Sequence, residues 1–128
     1  AYKRVQYLSN KDIYEKANKV FKKLQKLEFA DKTLAMVVPK EAFDLINEGN
    51  NLHHCVGSYI KRVAKNESMI FFVRKQENLM ESYFTLEIDP KNLKIVQCRG
   101  LHNVSADDKI LNFVYRWKKE RLNKLKVE

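Results

Sequence analysis

All three histidines and both cysteines of this 128-residue chain fall within two short segments, 52–59 and 97–103. The first segment contains His53, His54 and Cys55, and the second contains Cys98 and His102. An imidazole transfers protons near neutral pH, a thiolate is a nucleophile, and both groups bind metal ions. We therefore expect the chemistry of the chain to be concentrated in these two segments.

The elements that position these segments begin with an N-terminal helix. Residues 9–12 resemble an N-cap with an acidic first turn, and apolar residues then recur at helical spacing up to Leu27. The opposite face of this helix is basic, and we predict that it binds nucleic acid through Lys19, Lys22, Lys23 and Lys26.

A short apolar stretch, 34–38, follows this helix. Pro39 then suits the first turn of a second helix, which runs through Ile46 and ends near Gly49.

A third helix is expected to start near Cys55, because Val56, Tyr59, Ile60 and Val63 lie at helical spacing. The histidine–cysteine pair would then lie at a helix N-terminus. Unpaired backbone N–H groups at that position favour an anion and lower the pKa of a nearby thiol.

After this helix, the spacing of the apolar residues changes from the helical pattern to the pattern typical of strands. Apolar runs or alternation predict strands over 69–73, 82–88 and 93–99, joined by short polar connectors. A second capping pattern at 105–108 then precedes a long amphipathic helix that reaches Leu125. The sequence predicts an α+β domain, with a three-stranded antiparallel sheet, N-terminal helices and a long C-terminal helix packed on it.

One face of the predicted sheet is unusually polar. Strand alternation puts a set of polar side chains at one place, namely Arg74, Thr85, Glu87, Gln97 and Arg99. A histidine beside guanidiniums suits phosphate chemistry, and the corresponding reaction is RNA cleavage without a metal ion. In that hypothesis His54 or His53 is the base, Arg74 and Arg99 stabilise charge, and Tyr59 or His102 is the acid. The alternative to a site is that this face of the sheet is simply exposed to solvent, as is common for antiparallel sheets.

Two other chemistries are compatible with these residues. Cys55 could be a thiol nucleophile activated by the helix N-terminus, although a free cysteine is usually a small buried apolar residue. Zinc could be bound by Cys98 and His102 together with His54 and Cys55. Adjacent ligands fit a structural zinc site poorly, and we expect neither a metal nor another cofactor.

Composition bounds the class of protein. The chain has 25 basic and 16 acidic residues, a net charge of +9 and a pI of about 9.5, which favours an anionic partner. We expect nucleic acid, with RNA favoured over DNA, and a protein or ribonucleoprotein as a further candidate partner. Two cysteines and the lack of a membrane-spanning apolar run indicate a cytoplasmic protein. We expect residues 1–128 to form one domain, a fragment of a longer protein.

Four ordered motifs resemble the PcfJ-like proteins of conjugative plasmids and phages. They are segments 52–59, 68–74, 83–88 and 97–103, and the resemblance spans roughly residues 35–120. It implies a site at the matching positions, which are His54, Cys55, Gly57, Tyr59, Arg74, Thr85, Glu87, Gln97, Arg99 and Asn103. It implies no particular reaction. A non-catalytic alternative is therefore kept, in which a basic module serves conjugation as an adaptor or inhibits a host defence nuclease such as a CRISPR effector.

Overall fold

The computed structural model describes residues 11–54 and 59–127, and the elements below are those of these residues. The helices are α1 (Lys11–Leu24), α2 (Phe43–Leu52), α3 (Ile60–Ala64) and α4 (Asp108–Glu120). The strands are β1 (Phe29–Ala30), β2 (Leu34–Val37), β3 (Met69–Lys75), β4 (Phe84–Ile88) and β5 (Ile95–Arg99). The α+β class is confirmed. None of the helices in the described ranges has the length and apolar character needed to cross a bilayer.

The sheet has five strands among the described residues, so the prediction of three was wrong in number. All neighbours are antiparallel, in the order β1-β2-β3-β4-β5. The three predicted strands are β3, β4 and β5, and the additional pair is a hairpin on the β3 edge. The apolar stretch at Leu34 is thus strand β2. It shows no alternation because three of its four residues are buried.

Asp31 shapes the turn of this hairpin. Its Oδ1 accepts hydrogen bonds from the backbone N–H of Thr33 (2.8 Å) and Leu34 (2.7 Å), and its Oδ2 accepts one from Arg116 (2.5 Å). Burial raises the pKa of Asp31, but these donors outweigh burial and lower the pKa from its ordinary 3.8 to about 2. The folded protein therefore favours the charged carboxylate.

Replacing Asp31 with alanine should lower the free energy of unfolding by about 1 to 2 kcal/mol at neutral pH, because two backbone donors lose a charged acceptor. Asp31→Asn keeps an acceptor oxygen and should cost less. Since the folded pKa lies below the unfolded one, the contribution is complete above pH 3.8 and disappears as the pH falls towards 2. Urea titrations at pH 7 and pH 3 measure this. An equal loss at both pH values would contradict it.

Two predicted helix boundaries were wrong. Helix α2 starts at Phe43 rather than at Pro39, because the Asp44 carboxylate turns back to accept the N–H of Lys40 at 2.9 Å. The same helix passes through Gly49 to Leu52. It ends at His53, whose left-handed backbone (φ 57°) closes the last turn. The terminal glycine that was expected is therefore not needed.

The other helix predictions are corrected or fall outside the described residues. Helix α4 is capped by Asp107, whose side chain accepts the N–H of Ile110 at 3.0 Å, rather than by Ser105. It ends at Glu120, and Leu125 lies in a following 3-10 turn. The proposed cap at 9–10 and the proposed helix start near Cys55 lie outside the described residues, and α3 is described from Ile60 onward.

The two faces of the sheet differ in chemistry. Helix α4 covers the apolar face, where Trp117 contacts the ring of Phe71 edge-on at 4.7 Å. The Trp117 indole N–H donates to the backbone carbonyl of Leu27 at 2.7 Å, which ties this helix to the 3-10 turn (Gln25–Leu27) that follows α1. Helix α2 approaches the opposite face, because its Glu48 pairs with Arg74 on that side of β3. The site lies on this second face.

Candidate functional site

The register of the strands confirms the predicted polar face. Thr85 of β4 lies opposite Arg99 of β5, and Glu87 lies opposite Gln97. Glu87 also pairs with Ile70 of β3 on its other side. Because side chains alternate along a strand, these residues project from the same face of the sheet.

A cavity of about 530 Å³ lies over this face. The sheet supplies Ile70, Thr85, Glu87, Gln97 and Arg99 to its walls. The end of α2 supplies His53 and His54, the start of α3 supplies Tyr59 and Arg62, and the turn after β5 supplies Asn103. The structure thus brings together seven of the ten positions at which the resemblance implies a site, namely His54, Tyr59, Thr85, Glu87, Gln97, Arg99 and Asn103. Cys55 and Gly57 lie outside the described residues.

Glu87 organises the floor of the cavity. It is 2% exposed, and its carboxylate accepts hydrogen bonds from the Ser68 hydroxyl (2.8 Å) and the Gln97 amide (3.1 Å). The Arg62 guanidinium lies 3.7 Å from the same carboxylate. A buried carboxylate with several donors is a fixed anchor, so Glu87 orients its neighbours.

Tyr59 is held so that its own proton remains available. The Gln97 amide nitrogen donates to Tyr59 Oη at 3.2 Å, and the same nitrogen donates to Glu87. In this bond the phenol oxygen is the acceptor, and its O–H can donate to a ligand. The Arg62 guanidinium lies 5.0 Å from the centroid of the Tyr59 ring, in a cation–π contact.

His54 has the properties of a neutral base. Burial lowers the pKa of its imidazole, and the nearby Glu48 carboxylate and the His54 backbone oppose this effect only in part. Its Nε2 is buried and has no hydrogen-bond partner within residues 11–54 and 59–127. Most buried polar atoms are paired, so an unpaired nitrogen on a residue lining a cavity is a position where a ligand can bind.

Arg74 does not line the cavity, and this corrects its expected role. Its guanidinium forms a bidentate pair with Glu48 at 2.7 and 2.6 Å. Glu48 also accepts the Ser82 hydroxyl at 2.8 Å and lies 3.4 Å from that of Thr85. Arg74 is 7% exposed and Glu48 2% exposed, so this pair is a buried support behind His54. Both terminal nitrogens of Arg74 donate to Glu48 and the side chain is buried, so it is not placed to bind a substrate phosphate.

Sequence reasoning missed Glu48 and Arg62. Charged residues of helices are usually solvated, and the sequence pattern singled out neither of them. The helical spacing of Glu48 with the buried Leu45 and Leu52 is a signal that could have placed it on the inner face of α2. Arg62 carries no comparable signal, because its side chain is 47% exposed.

Arg99 remains available at the rim of the cavity. It is half-buried, and its guanidinium donates to the Ser105 hydroxyl. A hydroxyl uses one of the five N–H donors of a guanidinium, so Arg99 keeps donors for an anion. Asn103 lies beside it in the turn Leu101–Asn103, with a left-handed backbone (φ 64°).

The thiol and zinc alternatives depend on Cys55 and Cys98. Cys55 lies outside the described residues, so its proposed role stays a prediction. Burial raises the pKa of Cys98 to about 12, which keeps this thiol protonated and unreactive. No group of three potential metal ligands occurs within residues 11–54 and 59–127.

The predicted basic surface lies on α1, whose Ala17, Phe21 and Leu24 are buried, and on the 3-10 turn after it, which carries Lys26. The lysines predicted to bind nucleic acid are exposed, namely Lys19, Lys22, Lys23 and Lys26. None of them lines the cavity. The chain therefore has two separate candidate surfaces for an anionic partner.

Comparison with known proteins gives a family and one relative. A family model described as PcfJ-like protein matches residues 3–114. A Listeria innocua serovar 6a protein named "Uncharacterized protein Lin1253/Lin1744" is 38% identical over 109 residues. The match covers 84% of this chain and 24% of the Listeria protein, so the chain spans about a quarter of that relative's length. No solved structure matches the chain.

Proposed function

The chain belongs to the PcfJ-like family, as its motifs predicted, and we propose that its cavity binds a phosphodiester of RNA and cleaves it without a metal ion. One observation carries this proposal. His54, with a lowered pKa and an Nε2 that pairs with none of the described residues, lines a cavity that is also lined by Arg62 and Arg99. Cleavage of a phosphodiester by an adjacent hydroxyl requires an uncharged base to accept the proton and fixed positive charges to stabilise the transition state.

The two arginines would bind the phosphate. Arg99 keeps donors beyond its bond to Ser105, and Arg62 holds Glu87 only loosely, at 3.7 Å. Arg62 can turn towards a phosphate without leaving Glu87 unpaired, because Ser68 and Gln97 continue to donate to that carboxylate. Guanidiniums match phosphate oxygens as bidentate donors, which would fix the orientation of the scissile bond.

The proposed reaction is a transfer within the RNA strand. An RNA strand that displaces the groups covering Nε2 of His54 would bring a ribose 2′-hydroxyl next to this nitrogen. Nε2 would then accept the proton of that hydroxyl. The 2′-oxygen attacks the phosphorus, the bond from phosphorus to the 5′-oxygen breaks, and the Tyr59 O–H supplies a proton to that leaving oxygen. The products are a 2′,3′-cyclic phosphate and a 5′-hydroxyl, with the negative charge of the transition state facing Arg62 and Arg99.

The test uses an RNA oligonucleotide incubated with the purified chain in EDTA. We expect cleavage that ends in a 2′,3′-cyclic phosphate, and no cleavage at a position where a 2′-deoxynucleotide replaces the ribonucleotide. Mass spectrometry identifies both ends. Cleavage that requires added Mg²⁺, or that leaves a 5′-phosphate, would contradict the proposed reaction.

A non-catalytic binding module is the second candidate function. The observation that favours it is a hollow of about 280 Å³ beside α1, lined by Lys16, Lys19 and Lys23 together with Asn66 and Pro90. Such a surface would bind phosphates without chemistry. In this alternative the chain acts in the cytoplasm on behalf of a plasmid or phage, as a conjugation adaptor or an inhibitor of a host defence ribonucleoprotein.

Charge-removing variants separate the two candidates. If the cavity binds RNA, Arg99→Gln should weaken binding more than the triple variant Lys19→Gln/Lys22→Gln/Lys23→Gln does. The α1 candidate predicts the reverse order. For either surface, log affinity should fall linearly with log salt. If α1 binds the RNA, the triple lysine variant removes three phosphate contacts and should reduce the slope of this line by about 2 to 3. Fluorescence anisotropy between 50 and 200 mM salt measures both quantities.

A further inference from the structure

An exposed apolar groove of about 500 Å³ lies beside the cavity. Its apolar lining includes Met80, which is 91% exposed, Leu101 at 49% and Val104 at 54%. The rings of Tyr83 and Phe84 also line it, packed edge-on against each other at 4.8 Å. Contiguous apolar surface of this kind marks a place where a partner or ligand binds.

The groove and the cavity share one wall. At the end of α2, Leu52 lines the groove and the next residue, His53, lines the cavity. In the turn after β5, Val104 lines the groove and the preceding Asn103 lines the cavity. The imidazoles of His53 and His102 stack across this wall, with centroids 4.9 Å apart and planes 13° apart. A ligand that occupies the cavity therefore lies next to the groove.

The polar groups at the edge of the groove suit a heterocyclic base. The Asn51 amide donates to the Ser82 hydroxyl at 3.0 Å, and both residues line the groove. This bond uses one amide hydrogen and leaves the Asn51 carbonyl oxygen and a second N–H for a ligand. An amide with both a donor and an acceptor can bind the edge of a base, while aromatic and thioether groups contact its flat face.

We propose that the groove binds the nucleobase of a nucleotide whose phosphate lies in the cavity, so that the ligand is single-stranded RNA. This inference rests on the proposed function. The neighbouring guanidiniums of Arg62 and Arg99 favour a polyanion over an apolar peptide as the occupant. Bases of a duplex are paired and stacked, and they cannot enter a groove beside the phosphate, whereas unpaired bases can.

The experiment compares two probes that share a phosphate. Adenosine 5′-monophosphate and ribose 5-phosphate, which carry the phosphate on the same ribose carbon, are titrated into the chain by calorimetry at low salt. The test variant is Met80→Ser/Val104→Ser. The matched control is Leu79→Ser/Val96→Ser, because Leu79 and Val96 are also exposed apolar residues, at 47% and 55%, and line neither the groove nor the cavity. All four side chains are exposed, and circular dichroism checks that the variants fold.

We expect the wild-type chain to bind the nucleotide about tenfold more tightly than ribose 5-phosphate, the gain typical of one stacked base. Met80→Ser/Val104→Ser should lose this preference and retain its affinity for ribose 5-phosphate, while the control variant keeps both. Equal affinity of the wild type for the two probes, or an unchanged preference in the test variant, would overturn the base site alone. Failure of both probes to bind the wild type would overturn the phosphate cavity and the base site with it.

Discussion

Replacing His54 with alanine should reduce the rate of RNA cleavage by about 10² to 10⁴, the usual contribution of a general base. The affinity for RNA should change little, because the arginines that bind phosphate remain. Cleavage in EDTA under single-turnover conditions gives the rate, and anisotropy gives the affinity. The matched control is Asn112→Ala, an exposed position on α4, which covers the opposite face of the sheet. A His54→Ala rate within a few fold of the wild type would exclude His54 as the base.

The pH profile tests the same role independently. Burial lowers the pKa of His54, so the imidazole stays neutral to a more acidic pH than an ordinary histidine with its pKa of 6.5. A base must be neutral to accept a proton, and the rate should therefore fall to half of its plateau at a pH below 6.5. A plot of log rate against pH measures this limb. A half-maximal rate above pH 6.5 would show that another group is titrating.

Strand alternation predicts much of this site because it depends on local geometry alone. The polar positions of two successive strands, Thr85 with Glu87 and Gln97 with Arg99, are two residues apart in each case. The antiparallel register, which depends on the connector between the two strands, then puts Glu87 opposite Gln97. The position of the histidine segment near this face could likewise be inferred, because the chain must cover one side of the sheet with helices.

The remaining features depend on contacts between segments distant in the sequence. Strand β1 has two residues, too few to show a period, and it forms because Asp31 closes the turn to β2. The same limit explains the error about Arg74. A guanidinium on a polar face is free for a substrate only if no buried carboxylate meets it, and Glu48 reaches it from α2, 26 residues away.

Removing one member of the Arg74–Glu48 pair should cause a large loss of stability. Arg74→Met leaves the Glu48 carboxylate buried with only hydroxyl donors, and we expect the free energy of unfolding to fall by about 3 to 5 kcal/mol. Arg116→Met is the matched control. Its guanidinium pairs with Asp31 but is 56% exposed, so about 0 to 1 kcal/mol should be lost. Urea denaturation measures both variants, and equal losses would contradict the structural role of Arg74.

The double variant Arg74→Met/Glu48→Met separates the value of the pair from the cost of an unpaired charge. Two unbranched apolar side chains replace two buried charges, so the double variant should recover much of the stability lost in Arg74→Met.

Glu48 also connects this support to the chemistry of the site, because its charge raises the pKa of His54 against the effect of burial. With Arg74 absent, that charge is no longer compensated, and the acidic limb of the rate profile should move to higher pH. The double variant lacks the Glu48 carboxylate as well as Arg74, so nothing opposes the effect of burial on the pKa of His54 from this side. The acidic limb should then move to lower pH than in the wild type. A limb that stays in place in both variants would mean that Glu48 supports the fold without influencing His54.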